Sequence, residues 1–282
     1  MLGVGNPNRT LAELMAFVET PGLVSFEKSR LESLPRVPEV SIVIPTWNGG
    51  QRLSETLEDL RKLRAQLELP TEFVIVDDCS EAATARIAAA FADENELTAV
   101  LRNSTNRGKG YAVAKGMRHA RGAYRLFVDS DLAYPGCQIT KLLLELKAGN
   151  DVAIACRVLP ESRYVMSPTF FHYLYTRHLM SRAFNRLAQR MLLPGILDTQ
   201  AGLKAFTADA AELIFSRQTL TGFGFDLECL FIARLHGLKI KQVPVDFYYS
   251  SETSTISFVK HGTEMLMDLW RVRQNARRGL YA

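Results

Sequence analysis

Short, nearly unbroken apolar runs alternate along this chain with longer stretches in which apolar positions recur every third or fourth residue. Val40-Ser-Ile-Val-Ile-Pro45 is the first such run, apolar enough to be a strand buried on both faces of a parallel sheet. Thr46-Trp-Asn-Gly-Gly50 turns the chain, and residues 53–67 carry the period of an amphipathic helix. Phe73-Val-Ile-Val-Asp-Asp78 repeats the theme, ends in two acids, and leads through Cys79-Ser80 into a helix reaching Phe91. Residues 98–101 predict a third strand. Asn103-Ser-Thr-Asn-Arg-Gly-Lys-Gly110 is a Gly-rich basic turn opening a helix over 111–120. The fourth strand, Leu126-Phe127-Val128, enters from the turn at Arg121-Gly122 and ends in Asp129-Ser130-Asp131, with Pro135 soon after. A helix over 139–146 and a fifth strand, Asp151-Val-Ala-Ile-Ala-Cys-Arg157, complete the alternation. Five strands alternating with the helices between them predict an α/β fold with a mainly parallel central sheet flanked by helices.

The pattern then changes. Residues 162–197 contain no Asp or Glu, yet hold Arg163, Arg177, Arg182, Arg186 and Arg190 among bulky apolar and aromatic side chains. His178, Arg182, Arg186 and Arg190 recur every fourth residue, one stripe of a helix. Two readings stand side by side: an interfacial membrane helix, or a core-packing helix whose polar face is basic. Asp198-Thr-Gln-Ala-Gly-Leu-Lys-Ala-Phe206 leads to a helix over 208–215, and Gly222-Phe-Gly-Phe-Asp-Leu-Glu228 opens another that ends near Gly237. Residues 239–247 predict a last strand, with Pro244 placing it at an edge or making it irregular. A polar loop, 249–257, precedes a final helix carrying Phe258, Val259, Met265, Leu266, Leu269 and Trp270, with Arg271, Arg273, Arg277 and Arg278 crowding its end. This second basic amphipathic stretch strengthens the membrane-surface reading.

Composition narrows the classes. With 282 residues, 47% of them hydrophobic and 23% charged, the chain can bury one sizeable core. The organisation expected is an N-terminal arm over 1–38, a main domain over 39–257 and a C-terminal basic amphipathic helix over 258–282. No apolar run approaches the length of a membrane span, and residues 1–10 lack the basic start and apolar core of a signal peptide. Cys79, Cys137, Cys156 and Cys229 form no CxxC pair and read as free thiols of a reducing compartment. The net charge of +4 comes with no nucleic-acid-binding motif, so the basic stretches do not point to nucleic acid.

Asp129 and Asp131 supply two hard oxygen donors at the end of a buried strand, suited to a divalent cation already holding a diphosphate. The plainer alternative is a pair of solvated turn or helix-cap aspartates. Asn106-Arg-Gly-Lys-Gly110 offers either an anion cradle at a helix N-terminus or a helix-start turn with solvated charges. The chain has no GxGxxG after its first strand and no GxxxxGK[ST] anywhere, against dinucleotide and P-loop readings.

Six stretches in register resemble the inverting family 2 glycosyltransferases of the GT-A fold, and within them the polyprenyl-phosphate branch of dolichyl-phosphate glucosyl- and mannosyltransferases. They are Val40-Ser-Ile-Val-Ile-Pro-Thr-Trp-Asn48, Val76-Asp-Asp-Cys-Ser80, Asn106-Arg-Gly-Lys-Gly110, Val128-Asp-Ser-Asp131, Asp198-Thr-Gln-Ala-Gly-Leu-Lys204 and Phe225-Asp-Leu-Glu228. The fit spans residues 38–278, and the Asp198–Lys204 stretch resembles the glucosyl subgroup most closely.

The resemblance implies a metal-dependent transfer of a hexose, glucose first, from a UDP-sugar or GDP-sugar to a polyprenyl phosphate. Pro45 and Trp47 would frame the base and ribose, Asp77 would bond to the nucleoside, and Lys109 would lie near the nucleotide. Asp129 would touch ribose or metal, Asp131 would be the principal ligand of Mg2+ or Mn2+, and Arg157 and Lys204 would hold the sugar-diphosphate. A phosphate acceptor needs no strong general base, whereas a hydroxyl acceptor would, with Asp198 or Asp226 the candidates. Helix-dipole complementation is the other reading of Asp226. The implied location is cytoplasmic, peripheral on the cytoplasmic face of an anionic membrane. Three positions depart from the family: Ala133 stands where mannosyl members carry Gln, Gly49 replaces an acid, and Glu252-Thr-Ser-Thr255 replaces a Gly-Ser-Lys loop. The last removes one basic diphosphate contact, for which Lys260 is the nearest substitute. The alternatives are the same fold with a soluble hydroxyl acceptor, or a catalytically silent nucleotide-sugar-fold binding protein.

Overall fold

The computed structural model describes residues 38–131, 133–166, 171–249 and 258–282. The expectations for the arm over 1–38 and for the loop at Glu252–Thr255 fall outside them, as do the side chains of His178 and Lys260.

Seven strands form one sheet in the order β3-β2-β1-β4-β7-β5-β8. They are β1 (Val40–Thr46), β2 (Thr71–Asp77), β3 (Thr98–Arg102), β4 (Tyr124–Val128), β5 (Val152–Cys156), β7 (Leu203–Thr207) and β8 (Ile240–Pro244). The central strands are wholly apolar or internally bonded because both faces are covered: every residue of β1 and β2 is buried. One face carries α3 (Lys109–His119), α6 (Ala208–Arg217) and α7 (Phe225–Leu235); the other carries α1 (Gly50–Leu67) and α4 (Gly136–Lys147). Helix α2 (Ala82–Glu94) lies against α1. Two further helices, α5 (Phe171–Met191) and α8 (Phe258–Arg277), touch one another, and Leu269, Val272 and Tyr281 of the C-terminal segment are buried in the main core.

The α/β expectation holds, with one reversal that matters for function. Strand β7 runs antiparallel to both neighbours, pairing Val128 with Leu203 and Ile154 with Lys204. The start of β7 therefore lies at the same sheet edge as the ends of β1, β2, β4 and β5. The loop over 198–202 is brought to that edge although it precedes its strand.

The run over 239–247 is divided. Its first part, β8, ends at Pro244 on the sheet edge, as the missing N–H predicts. After Val245 the chain switches into β9 (Asp246–Tyr249), which pairs in parallel with β6 (Arg163–Met166) as a separate ribbon. The sequence pattern gave no sign of β6 or of this second sheet.

Candidate active site

Each central strand delivers its polar residues where its apolar run ends, at the carboxyl edge of the sheet. Beyond β1, Pro45 is buried opposite Val76, while Trp47 projects from the strand tip, 50% exposed. Asn48 ties the β1 and β2 tips together: its N–H donates to Ser80 Oγ (2.9 Å), and its Oδ1 accepts from the Glu81 N–H (2.8 Å). Asp77 is buried, accepting from the Ser80 N–H (2.9 Å) and facing the Arg102 guanidinium at 3.2 Å.

Asp78, to which the sequence reading gave no role, shapes the Gly-rich turn. Its carboxylate accepts from the N–H groups of Arg107 (2.9 Å) and Gly108 (2.7 Å) and from Asn103 Nδ2 (2.7 Å). The anion held by these N–H groups is thus internal to the protein. Gly108 is required here: its φ is +96°, and a Cβ would stand 2.6 Å from the Thr221 carbonyl oxygen. What the turn offers to a ligand is Lys109, whose ammonium lies 2.6 Å from Asp129 Oδ1. Burial works against that charge, but Asp129 and Asp226 outweigh it and hold Lys109 above the ordinary lysine range.

Asp129 and Asp131 follow β4. The Asp129 N–H donates to the Gly202 carbonyl (3.0 Å), and the approach is so close that a Cβ at Gly202 would meet Asp129 Oδ2 at 1.9 Å. Asp131 lies at the open rim, its Oδ1 accepting from the Ala133 N–H at 3.1 Å. Desolvation, and then the nearby Asp129 charge, push its carboxyl above the ordinary range. Among the described residues no group of three His, Cys, Asp or Glu can ligate a metal. Two adjacent acids whose charges oppose each other fit a divalent cation that takes its remaining oxygens from a diphosphate.

The other charges are paired internally. Arg157, just past β5, grips Asp198 through its backbone N–H (3.0 Å), Nε (2.7 Å) and an Nη (2.9 Å). Asp198 is only 1% exposed; desolvation opposes its charge, yet Arg157 keeps it below the usual carboxylate range. Lys204 is 0% exposed and donates to Asp226 (2.5 Å) and to the Ala201 carbonyl (2.7 Å). For Asp226, desolvation outweighs Lys204 and Lys109, and its carboxyl is raised. Lys109, Asp129, Asp131 and Arg157 are accessible at the sheet edge; Lys204, Asp198 and Asp226 lie beneath as buried partners.

The model of glycosyl transferase family 2 matches residues 41–215, which include the strand tips and both acids after β4. The chain belongs to glycosyl transferase family 2. Among its relatives, the dolichyl-phosphate β-glucosyltransferase of Drosophila melanogaster is 30% identical over 256 residues, covering 85% of this chain and 76% of that one. The human protein of that name is 29% identical over 275 residues, with 88% and 83% covered. The solved structure of Mycobacterium tuberculosis glucosyl-3-phosphoglycerate synthase with Mn2+, UDP and glucosyl-3-phosphoglycerate superimposes at a TM-score of 0.60 and 17% identity, covering 90% and 85%. That likeness establishes the GT-A fold for this family 2 chain.

Proposed function

We propose that the protein moves glucose from UDP-glucose to a polyprenyl phosphate, with inversion at the anomeric carbon and with Mn2+ or Mg2+ bound. The observation that carries this reading is that both candidate bases, Asp198 and Asp226, are consumed in buried ion pairs while the open edge presents cations and the two metal-type acids. A hydroxyl acceptor would need a free base, whereas a phosphate monoester, with a second pKa of about 6, is already largely dianionic at neutral pH. The names of the relatives, dolichyl-phosphate β-glucosyltransferases, support the same donor sugar and acceptor class.

In this reading Asp129 and Asp131 hold the ion, which supplies Lewis-acid stabilisation of the departing diphosphate. Lys109 turns from Asp129 toward the diphosphate and adds a second positive charge. Pro45 and Trp47 frame the base and ribose, and Asp77 meets the nucleoside. Arg157, oriented by Asp198, faces the sugar-diphosphate and the incoming phosphate. Lys204 acts from below, through Asp226, as a fixed counter-charge to the site. An acceptor phosphate oxygen attacks C1 of glucose, the bond from C1 to the β-phosphate oxygen breaks, and the electron pair leaves with UDP. One displacement converts an α-linked donor into a β-linked product.

A membrane surface brings the acceptor. On α8, Leu266, Met267 and Trp270 are 50%, 48% and 60% exposed, with Arg271, Arg273, Arg277 and Arg278 beside them. On α5, Arg182, Arg186 and Arg190 are exposed, with Leu187 among them. Among the described residues no helix is long and apolar enough to cross a membrane. These features support peripheral binding to an anionic, cytoplasmic leaflet.

The test supplies radiolabelled UDP-glucose, Mn2+ and three acceptors: a polyprenyl phosphate, the corresponding alcohol and 3-phosphoglycerate. Label enters the lipid phase with the phosphate alone. Label in 3-phosphoglycerate instead supports the soluble-acceptor alternative, and no affinity for UDP or GDP by calorimetry supports a silent binding protein. Flotation with anionic vesicles, weakening with salt, tests the membrane arm.

A further inference from the structure

Close to the Arg157–Asp198 pair lies a hydroxyl that no described residue bonds. Tyr134, three residues past Asp131, is 3% exposed, and its phenolic oxygen is buried without a hydrogen-bond partner among the described residues. Nearly all buried polar atoms are bonded, and one left unbonded weakens the fold relative to a plain phenyl ring.

The ring that carries it is held firmly. It stands edge-on to Phe247, with centroids 5.2 Å apart, and Phe247 also meets the Tyr164 ring at 5.7 Å and the Arg157 guanidinium at 5.4 Å. The backbone is fixed from both sides: the Ala133 carbonyl accepts from the Tyr248 N–H at 2.9 Å, and the Ala133 N–H donates to Asp131. Burial keeps the phenol neutral, raising it well above the ordinary tyrosine range.

The charged groups acting on this phenol are Arg157, Asp198, Asp129 and Asp131. Its chain neighbour Ala133 is bonded to Asp131, and its ring packs on Phe247, which in turn meets the Arg157 guanidinium. Tyr134 thus sits between the two halves of the site, the acids assigned to the metal-diphosphate and the pair assigned to the acceptor side. The group that must connect those halves during transfer is the hexose. A neutral hydroxyl that can donate or accept matches a sugar hydroxyl, and its carboxylate neighbours disfavour a bare phosphate there.

We infer that Tyr134 is a positioning residue for the donor hexose, its hydroxyl reserved for a hydrogen bond to one hydroxyl of the transferred sugar. This rests on the nucleotide-sugar reading above.

Tyr134→Phe tests it, because the ring and its contacts remain. Calorimetry compares UDP with UDP-glucose, each with Mn2+, in wild type and variant, alongside thermal unfolding without ligand. The expected result is unchanged affinity for UDP, a roughly 3- to 10-fold loss of affinity for UDP-glucose and of kcat/KM, and an unfolding midpoint equal to or above wild type. A series of UDP-deoxyglucose donors identifies the bonded position: one member binds the two proteins equally. Equal losses for UDP and UDP-glucose, or a lowered midpoint with unchanged donor binding, overturn the inference. A wild-type protein that binds UDP-glucose and a variant indistinguishable from it overturn the inference alone. A wild-type protein that binds neither ligand overturns the donor reading and the inference with it.

Discussion

The Lys109 ammonium lies 2.6 Å from Asp129 Oδ1, on the carboxylate assigned to the metal. A divalent cation held there, as proposed, would compete with the lysine for that oxygen and leave Lys109 to compensate Asp129 only until metal and diphosphate arrive together. Lys109→Met separates the two roles. Mn2+ alone, followed by electron paramagnetic resonance, binds the variant several-fold more tightly. Its kcat falls by about 10²–10³, the usual effect of removing a preorganised charge from a transition state. Weaker Mn2+ binding in the variant would show that Lys109 does not compete.

Gly202 tests the fit between β4 and the loop before β7. A methyl at this position would stand 1.9 Å from Asp129 Oδ2. Gly202→Ala must push Asp129 aside, so Mn2+–UDP affinity drops at least tenfold while far-ultraviolet circular dichroism stays native. Unchanged affinity would mean that Asp129 can move freely.

The buried Lys204–Asp226 pair supports the site from within. Removing one partner leaves an uncompensated charge, at a cost of about 3–5 kcal/mol. Urea unfolding of Lys204→Met should show a loss of that size, and the double variant Lys204→Met/Asp226→Leu should recover much of it. Additive losses would mean that the two residues are not coupled.

His119, at the end of α3, gives a pH signature. Desolvation, opposed by Glu72 and reinforced by Arg121 and Lys115, lowers its pKa from 6.5 to about 4. The folded value lies below the unfolded one, so the unfolded chain takes up the proton first. Stability is full above about pH 6.5 and is lost as pH falls toward 4. Between pH 7 and pH 5 this contributes about 1–2 kcal/mol of destabilisation. Urea unfolding of His119→Gln should show a correspondingly smaller drop over that range; an identical drop would assign the pH dependence elsewhere.

The parts of the site that follow their own strand were legible in the sequence. Val40–Thr46 and Thr71–Asp77 are apolar runs because both faces are covered, and Asp77, Asp129 and Arg157 sit where such runs stop. Strand β7 was not legible, either as a strand or in its direction. Its Leu203-Lys-Ala-Phe-Thr carries in second place a lysine whose partner, Asp226, lies 22 residues onward, and Asp198 is satisfied by Arg157, 41 residues back. Pairing over such distances is decided by tertiary packing, which no local period records. The division of 239–247 was marked only by Pro244, and the unbonded hydroxyl of Tyr134 left no trace, because an unmade bond has no sequence pattern.

On the proposed reading, Asp129 and Asp131 hold a cation that grips the nucleotide diphosphate. Crystals soaked with Mn2+ and UDP, measured for the anomalous signal of manganese, address it directly. The expected result is a manganese peak bound by both carboxylates and by the diphosphate, with Lys109 turned off Asp129 onto phosphate oxygen. UDP bound without manganese at these acids, or manganese held by other residues, would contradict it.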